Sequence, residues 1–122
     1  MSSYVDNLMA ANAVGSAPRD WSAHPSFAGV ELCTLVGPKA SGNRIKVLLV
    51  HLAPRAEMRP HRHEREFEMH QVLDGAGELN LGGTRQYYRP GGIGLISPNV
   101  EHGVTAADEG LWLLATFVPT RE

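Results

Sequence analysis

The sequence predicts an all-β domain, a sandwich or barrel of about eight short strands. Its apolar runs are short, and 13 glycines and 8 prolines separate them along the whole chain. The 122 residues suit one domain that can bury a core, and they contain no repeat or low-complexity tract. We therefore expect a single domain over residues 1–122, with an N-terminal arm over 1–20 and a core over about 29–119.

One helix and three strands are predicted in the first half of the chain. Ser3–Asp6 resembles a capping box, which indicates a short helix over residues 4 to about 13 that ends at "GSAPRD". Gly29–Val36 alternates in the manner of a half-buried strand. Arg44–Ala53 is rich in Val, Ile and Leu and is the strongest strand prediction. The segment "EMRPHRH" leads into the next strand.

The second half of the chain predicts strands separated by turns. We interpret "FEMHQVLDGAGELNLGG" as two strands, with an Asp-Gly turn at Asp74–Gly75 between them and a Gly-Gly turn after them. "TRQYYRPGG" is a further strand and turn, and "IGLISPN" is a short strand ended by Pro98. "EHGVTAADEG" and "LWLLATFVP" complete the predicted strands.

Charge and composition exclude several classes of protein. A net charge of −2 with no basic run argues against a nucleic-acid partner. No apolar run approaches the ~20 residues of a membrane span. The N-terminus has no early Lys or Arg and contains Asp6, so we reject a signal peptide. Because Cys33 is the single cysteine, no internal disulfide can form, which fits a reducing compartment. We expect a cytoplasmic protein with neither a nucleic-acid nor a membrane partner.

A cluster of histidines indicates a metal site. Alternate side chains of a strand share a face, so His61 and His63 point the same way, a few ångströms apart. Glu68 follows near the start of the next strand, where its carboxylate can fill a third ligand position. A fourth ligand should come from a distant strand, and His102 is the candidate.

A divalent cation would make this crowding tolerable, because it keeps imidazoles neutral and uses their lone pairs. Three nitrogens and one carboxylate leave coordination positions open, as catalysis requires, and the absence of cysteine ligands argues against structural zinc. Mn, Fe, Co, Ni and Zn all suit this ligand set. The alternative is that "HRHERE" is a charged surface segment whose histidines bind nothing.

These residues resemble the first motif of the cupin superfamily, G-x5-H-x-H-x3-4-E-x6-G. After His61-x-His63, four residues lead to Glu68 and six more lead to Gly75. The leading glycine of the motif is missing, because Pro54-Arg55 stands where Pro-Gly is usual.

The segment "GGIGLISPNVEHGVT" resembles the second cupin motif, G-x5-P-x-G-x2-H-x3-N. Gly91 leads it and His102 takes the ligand position. Ser97 stands where proline is usual, Asn99 where glycine is usual, and Ala106 where the closing asparagine is usual. Asparagine is the non-glycine residue that best tolerates a left-handed turn, so Asn99 fits its position.

The resemblance covers residues 54–106 and implies a small antiparallel β-barrel, the jelly-roll or double-stranded β-helix fold, with the metal inside and a homodimeric assembly. Small cupins include dioxygenases, isomerases, epimerases, polyketide cyclases and sugar-degradation proteins. The ending "ATFVPTRE" resembles the F-x-P-x-R close of small cupins related to uronate-sugar degradation. Those relatives often carry Gln at the position of Glu68.

Two more residues are predicted to act at the site. His70 shares the inward face of Glu68, so its ring is either a general acid or base, or a core histidine bonded to a backbone carbonyl. Arg59 shares the strand parity of His61 and His63 and could bind a substrate carboxylate at the cavity mouth. The sequence does not decide which way three other rings face: His51, Tyr87 and Tyr88.

The ligand set leaves three functions open: a metal-dependent enzyme, a non-catalytic module that binds or senses a sugar or carboxylate, and a barrel braced by its metal. A barrel of about eight strands can pack its interior without an ion, which argues against the third. We favour an enzyme whose small oxygen-bearing substrate, such as a diketone, enediol or hydroxy acid, displaces metal-bound water. The reaction is either Lewis-acid isomerisation, cyclisation or elimination, or dioxygenation.

Overall fold

Eight antiparallel strands within residues 20–120 form the fold, which is all-β as predicted. The structure is a computed structural model that describes residues 3–10 and 20–120. A helix, α1 (Ser3–Ala10), precedes the strands, and a 3-10 helix (Pro38–Ser41) lies between the second and third of them. The strands are β1 (Trp21–Ala23), β2 (Val30–Val36), β3 (Lys46–Leu52), β4 (Glu57–His61), β5 (Glu66–Leu81), β6 (Thr84–Tyr88), β7 (Ile93–Ile96) and β8 (His102–Pro119).

The two long strands β5 and β8 pair along most of their length and join two sheets. The C-terminal half of β8 pairs with β3, whereas its N-terminal half pairs with β4. In the same way, the first half of β5 pairs with β7 and its second half with β6. The result is one sheet in the order β1-β2-β3-β8-β5-β7 and another in the order β4-β8-β5-β6, which is the predicted jelly roll.

The predicted turn at Asp74–Gly75 is wrong, because β5 runs through it as one strand. The chain bends there by register shifts, between Val72 and Asp74 and again between Gly75 and Gly77. Gly75 has a φ of 79°, and a Cβ at this position would collide with the carbonyl oxygen of Gly110 on β8. The glycines therefore permit a close crossing of two bent strands rather than a hairpin. The two segments predicted at the end of the chain likewise form the single strand β8.

Other elements agree with the sequence in part. The Gly-Gly turn is present, with positive φ at Gly82 and Gly83. Helix α1 covers the first part of the predicted helix, and residues 11–13 lie outside the described residues. The short strand β1 and the 3-10 helix were not predicted. In the part of the chain that the structure describes, no helix has the length and apolarity needed to cross a membrane.

Among the residues that the structure describes, apolar side chains form two clusters, one inside the barrel and one on its outer face. Val50, Leu79 and Leu113 belong to the inner cluster, to which both sheets contribute. On the outer face, Val5 of α1 and Cys33 of β2 pack in the second cluster. Cys33 is buried, as expected for a small apolar side chain at this position.

Candidate metal centre

Three histidines from separate segments meet inside the barrel. His61 is the last residue of β4, His63 follows it, and His102 is the first residue of β8. Since β4 and β8 are neighbours, His61 and His102 are register partners, with ring centroids 4.3 Å apart. One ring nitrogen of each histidine lies within 4.8 Å of those of the other two. The fold thus brings together the three imidazoles that the sequence nominated.

Local backbone irregularities direct these rings inward. A register shift between Met58 and His61 lets both side chains line the same cavity. Asn99 and Arg55 have left-handed φ values of 64° and 62°, at the two motif positions where glycine is usual. The N–H of Asn99 donates to the carbonyl oxygen of His63 over 2.7 Å. This bond ties the turn before His102 to the segment that carries the other two histidines.

Hydrogen bonds to the backbone determine which ring nitrogen of His61 and of His102 is free to bind a metal ion. The Nδ1–H of His61 donates to the carbonyl oxygen of Arg59 at 2.7 Å, and that of His102 donates to the carbonyl oxygen of Val100 at 3.0 Å. Because a neutral imidazole has one donor and one acceptor nitrogen, Nε2 of both rings carries a lone pair. Such bonds are the usual way in which proteins orient metal-binding histidines.

The carboxylate of Glu68 joins the histidines from β5. It is buried, with 6% of its surface exposed. Oε1 lies 3.1 Å from Nε2 of His63 and 3.3 Å from Nε2 of His102, whereas Oε2 lies 2.6 Å from Nε2 of His70. Burial alone would raise the pKa of Glu68, but the three imidazoles around it hold that pKa well below its ordinary value. Glu68 is therefore an anion at the centre of the cluster.

The pKa values of His63 and His61 shift in opposite directions in this arrangement. The adjacent Glu68 carboxylate raises the pKa of His63. Burial lowers the pKa of His61, and the neighbouring rings of His102 and His63 act in the same direction. A group of imidazoles beside one carboxylate cannot all be protonated without repulsion between the rings.

Two buried atoms indicate that the cluster suits a cation. Nε2 of His102 and Oε1 of Glu68 have no hydrogen-bond partner among the described residues. They face each other at 3.3 Å, and two acceptor atoms at this distance repel unless a proton or a cation lies between them. Imidazole nitrogen and carboxylate oxygen are the donor atoms that divalent transition metals accept. The residues present therefore fit a bound metal ion.

His70 supports Glu68 from behind. Glu68 can only accept, so Nε2–H of His70 donates to it, and Nδ1 of His70 forms a hydrogen bond with the Tyr88 hydroxyl at 2.9 Å. Burial and the Glu68 charge raise the pKa of Tyr88, which keeps its proton. Gly94 makes room for this hydroxyl, since a Cβ there would collide with it. Both hydrogen-bond partners of His70 are thus side chains, whereas the alternative considered from the sequence was a core histidine bonded to a backbone carbonyl.

Residues 48–116 match the family model described as the Cupin domain. The chain belongs to the cupin family. This cupin is 30% identical over 77 residues to the pectin degradation protein KdgF of Dickeya dadantii (strain 3937), a match that covers 63% of this chain and 70% of that protein.

Solved structures of other cupins share the fold. KdgF from a Halomonas species has a TM-score of 0.71 and 24% sequence identity, over 84% of this chain and 88% of that one. A predicted oxalate decarboxylase from Thermotoga maritima has a TM-score of 0.74 and 22% identity, over 82% of this chain and 90% of that one. At these identities the two structures support the fold of this cupin and not a particular reaction.

A cavity of about 230 Å³ adjoins the histidine cluster of the cupin. His61, His63 and Glu68 are among its polar lining residues. The loop between β1 and β2 contributes Phe27, whose ring lies 5.4 Å from that of His61. His24 packs on the same phenyl ring at 4.6 Å. Sequence reasoning missed both loop residues, because no motif or strand pattern includes them.

Arg59 does not share the inward face that simple alternation predicted. The register shift between Met58 and His61 breaks the alternation, so Arg59 is exposed. Its guanidinium lies 5.6 Å from the Phe27 ring centroid, and its carbonyl oxygen holds His61. Arg59 is not among the residues that line the cavity, and its catalytic role stays a prediction.

The three rings whose facing the sequence left open are now placed. His51 faces outward and stacks on Trp112 with ring centroids 4.1 Å apart, so it is remote from the cluster. Tyr87 is 68% exposed, whereas its neighbour Tyr88 is buried beside His70. At most one of the two tyrosines was expected to face inward, and it is Tyr88.

Proposed function

We propose that this cupin is a metal-dependent enzyme acting on a small oxygen-bearing organic substrate. One divalent transition-metal ion, Mn, Fe, Co, Ni or Zn, would be held by three histidines and a glutamate: His61, His63, His102 and Glu68. The observation that carries the proposal is the buried, unpaired pair of acceptors, Nε2 of His102 and Oε1 of Glu68, which face each other beside two further imidazoles.

The bound ion would supply Lewis acidity, or redox chemistry in the case of iron, to a substrate oxygen. The chain's own residues have separate tasks. Glu68 stays ionised and offers Oε1 to the site, while His70 fixes Oε2 and thereby the orientation of the carboxylate. Since both nitrogens of His70 are engaged, we propose that it positions Glu68 rather than transferring a proton to substrate. Apolar walls formed by residues such as Val50 and Phe117 limit the entry of water.

An enzyme is favoured over a structural metal site because the histidine cluster opens onto a cavity. The pectin degradation relative adds support for a small-molecule substrate and makes sugar-derived compounds one class to test. Consumption of dioxygen during turnover would distinguish a dioxygenase from a Lewis-acid isomerase, cyclase or lyase. A substrate that binds the metal-loaded protein and is never converted would indicate the sensing alternative.

The test compares metal-free protein with protein reloaded with each candidate ion, by calorimetric titration and by nuclear magnetic resonance of a panel of diketones, enediols and hydroxy acids. We expect one ion per chain and turnover in the loaded protein alone. His102→Ala should lose both, whereas the matched control His51→Ala should keep both, since His51 stacks on Trp112 of the outer cluster. Undiminished turnover by metal-free protein would refute the proposal.

We also propose a homodimer. Phe67 and Val118 are register partners whose side chains are 41% and 42% exposed, and Leu95 on the adjacent β7 is 59% exposed. Glu68 and His70 point inward from the same segment of β5, so this apolar patch lies on the outer face of the sheet. A second copy that covers the patch would remove it from water. Light scattering coupled to size exclusion should give twice the chain mass, and Leu95→Lys should reduce it to the chain mass.

A further inference from the structure

The cavity beside the histidine cluster is walled by apolar side chains. Half of the twelve described residues that line it carry no polar side-chain group. Leu48 and Val50 project into it from β3, opposite in facing to the outward Leu49 of the same strand. The apolar lining residues in the described part of the chain are Phe27, Leu32, Leu48, Val50, Met58 and Phe117.

Nearly all the polar lining residues already form hydrogen bonds or belong to the proposed metal centre. Three belong to the proposed metal centre, and His70 uses both of its ring nitrogens on Glu68 and Tyr88. His24 uses Nδ1 to accept the backbone N–H of Ser26 at 3.0 Å. Among the lining residues, the Ser26 hydroxyl and Nε2 of His24 therefore remain for a substrate, and both belong to the loop between β1 and β2.

We infer that the substrate has an apolar body and a single oxygen-bearing end that reaches the metal centre. This inference rests on the proposed function, because the oxygen-bearing end needs the ion. Each hydroxyl buried against these walls without a partner would weaken binding by about fivefold to more than a hundredfold. Each methylene buried there would instead strengthen binding by about fourfold. A polyhydroxylated sugar acid is thus the wrong class for the body of the substrate.

The size of the cavity narrows the class further. Its volume of about 230 Å³ is below the roughly 300–1,000 Å³ of sites that bury drug-sized ligands. A short branched alkyl chain or one aromatic ring fits such a space. The substrate class is therefore a compact keto acid, diketone or enol with an alkyl or aryl body.

The test uses ligands that share one metal-binding end and differ in body. Both 4-methyl-2-oxopentanoate and 2-keto-3-deoxygluconate are six-carbon α-keto acids, the first with an alkyl body and the second with a polyhydroxylated one. Phenylpyruvate adds an aryl body. Binding to Co²⁺-loaded protein is measured by calorimetry and by the change in the visible Co²⁺ spectrum. We expect the alkyl or aryl acid to bind at least tenfold more tightly than the sugar acid.

A pair of isosteric variants distinguishes the effect of a polar group in the cavity wall from an effect on the stability of the fold. Val50→Thr places a hydroxyl in the wall and should weaken the alkyl ligand by about fourfold without altering Co²⁺ affinity. Val47→Thr is the matched control, because Val47 packs in the outer cluster and should leave ligand binding unchanged.

Three results would overturn the inference. The sugar acid could bind as tightly as the apolar acids, neither apolar acid could bind the Co²⁺-loaded protein, or Val50→Thr could leave the apolar ligand unaffected. Failure of the protein to bind Co²⁺ at all would instead refute the proposed function. The metal titration detects this failure before any ligand is added.

Discussion

Replacing His70 by phenylalanine tests whether the hydrogen bond from His70 to Glu68 orients that carboxylate in the metal centre. His70 is 1% exposed and donates from Nε2 to Oε2 of Glu68 at 2.6 Å. Phenylalanine has a ring of similar size but no donor, so Oε2 becomes a buried anionic oxygen without its hydrogen bond. The variant should keep the packing of the core and lose the bond that orients Glu68 toward the histidines.

The size of the effect follows from that one bond. A hydrogen bond to a charged group contributes about 1.5–3 kcal/mol, and about 1.4 kcal/mol corresponds to a tenfold change in a binding constant. His70→Phe should therefore weaken Co²⁺ binding by about 10- to 150-fold, which overlaps the roughly 10- to 100-fold effects typical of groups that orient metal ligands. Tyr88→Phe removes a bond one step further from the metal centre and should cost less, about two- to tenfold.

Competition calorimetry with a chelator of known affinity measures this difference. His70→Gln serves as the conservative variant, because its amide N–H₂ can still donate to Glu68 and should recover part of the affinity. A circular dichroism melt of each metal-free variant confirms that it folds. A folded His70→Phe protein that binds Co²⁺ within threefold of the wild type would refute the reasoning.

Three further predictions concern the bent strands, the protonation of the cluster and the Tyr88 hydroxyl. Gly75→Ala should lower the free energy of unfolding in urea by more than about 2 kcal/mol, because the added Cβ would meet a β8 carbonyl oxygen. The control Gly82→Ala has open space around the added Cβ and should lower it by only about 1 kcal/mol. Equal losses of unfolding free energy in the two variants would contradict this prediction. His63 has a raised pKa, so its contribution to the stability of the metal-free protein is present below its unfolded pKa and lost as the pH rises through the folded one. The difference in unfolding free energy between wild type and His63→Gln should therefore shrink from about pH 6 to about pH 9, and a constant difference would exclude this role. Gly94→Ala should displace the Tyr88 hydroxyl and weaken Co²⁺ binding as much as Tyr88→Phe does, so unchanged affinity would contradict the placement of that hydroxyl.

The sequence sufficed for features that depend on local pattern or on residue type. Alternation and glycine turns predicted the strands β2 and β3, and the spacing of His61, His63 and Glu68 nominated a cluster that the fold assembles around His102. The position of Asn99 in a left-handed turn was also predictable, because few residue types tolerate that conformation.

Features that depend on distant pairing could not be predicted. Asp74–Gly75 has the composition of a turn, yet it forms a bend because β8 pairs with β5 on both sides of it. The inward facing predicted for Arg59 assumed strict alternation, which a register shift between Met58 and His61 interrupts. Tyr88 reaches His70 from a strand that begins beyond a turn, and no local pattern links the two.

Anomalous scattering from crystals of the protein loaded with Co²⁺ tests the metal centre most directly. We expect one strong peak per chain at about 2.0–2.4 Å from a ring nitrogen of His61, His63 and His102 and from a carboxylate oxygen of Glu68. A difference map with no peak among these four side chains, or with His102 turned away from the ion, would contradict the account.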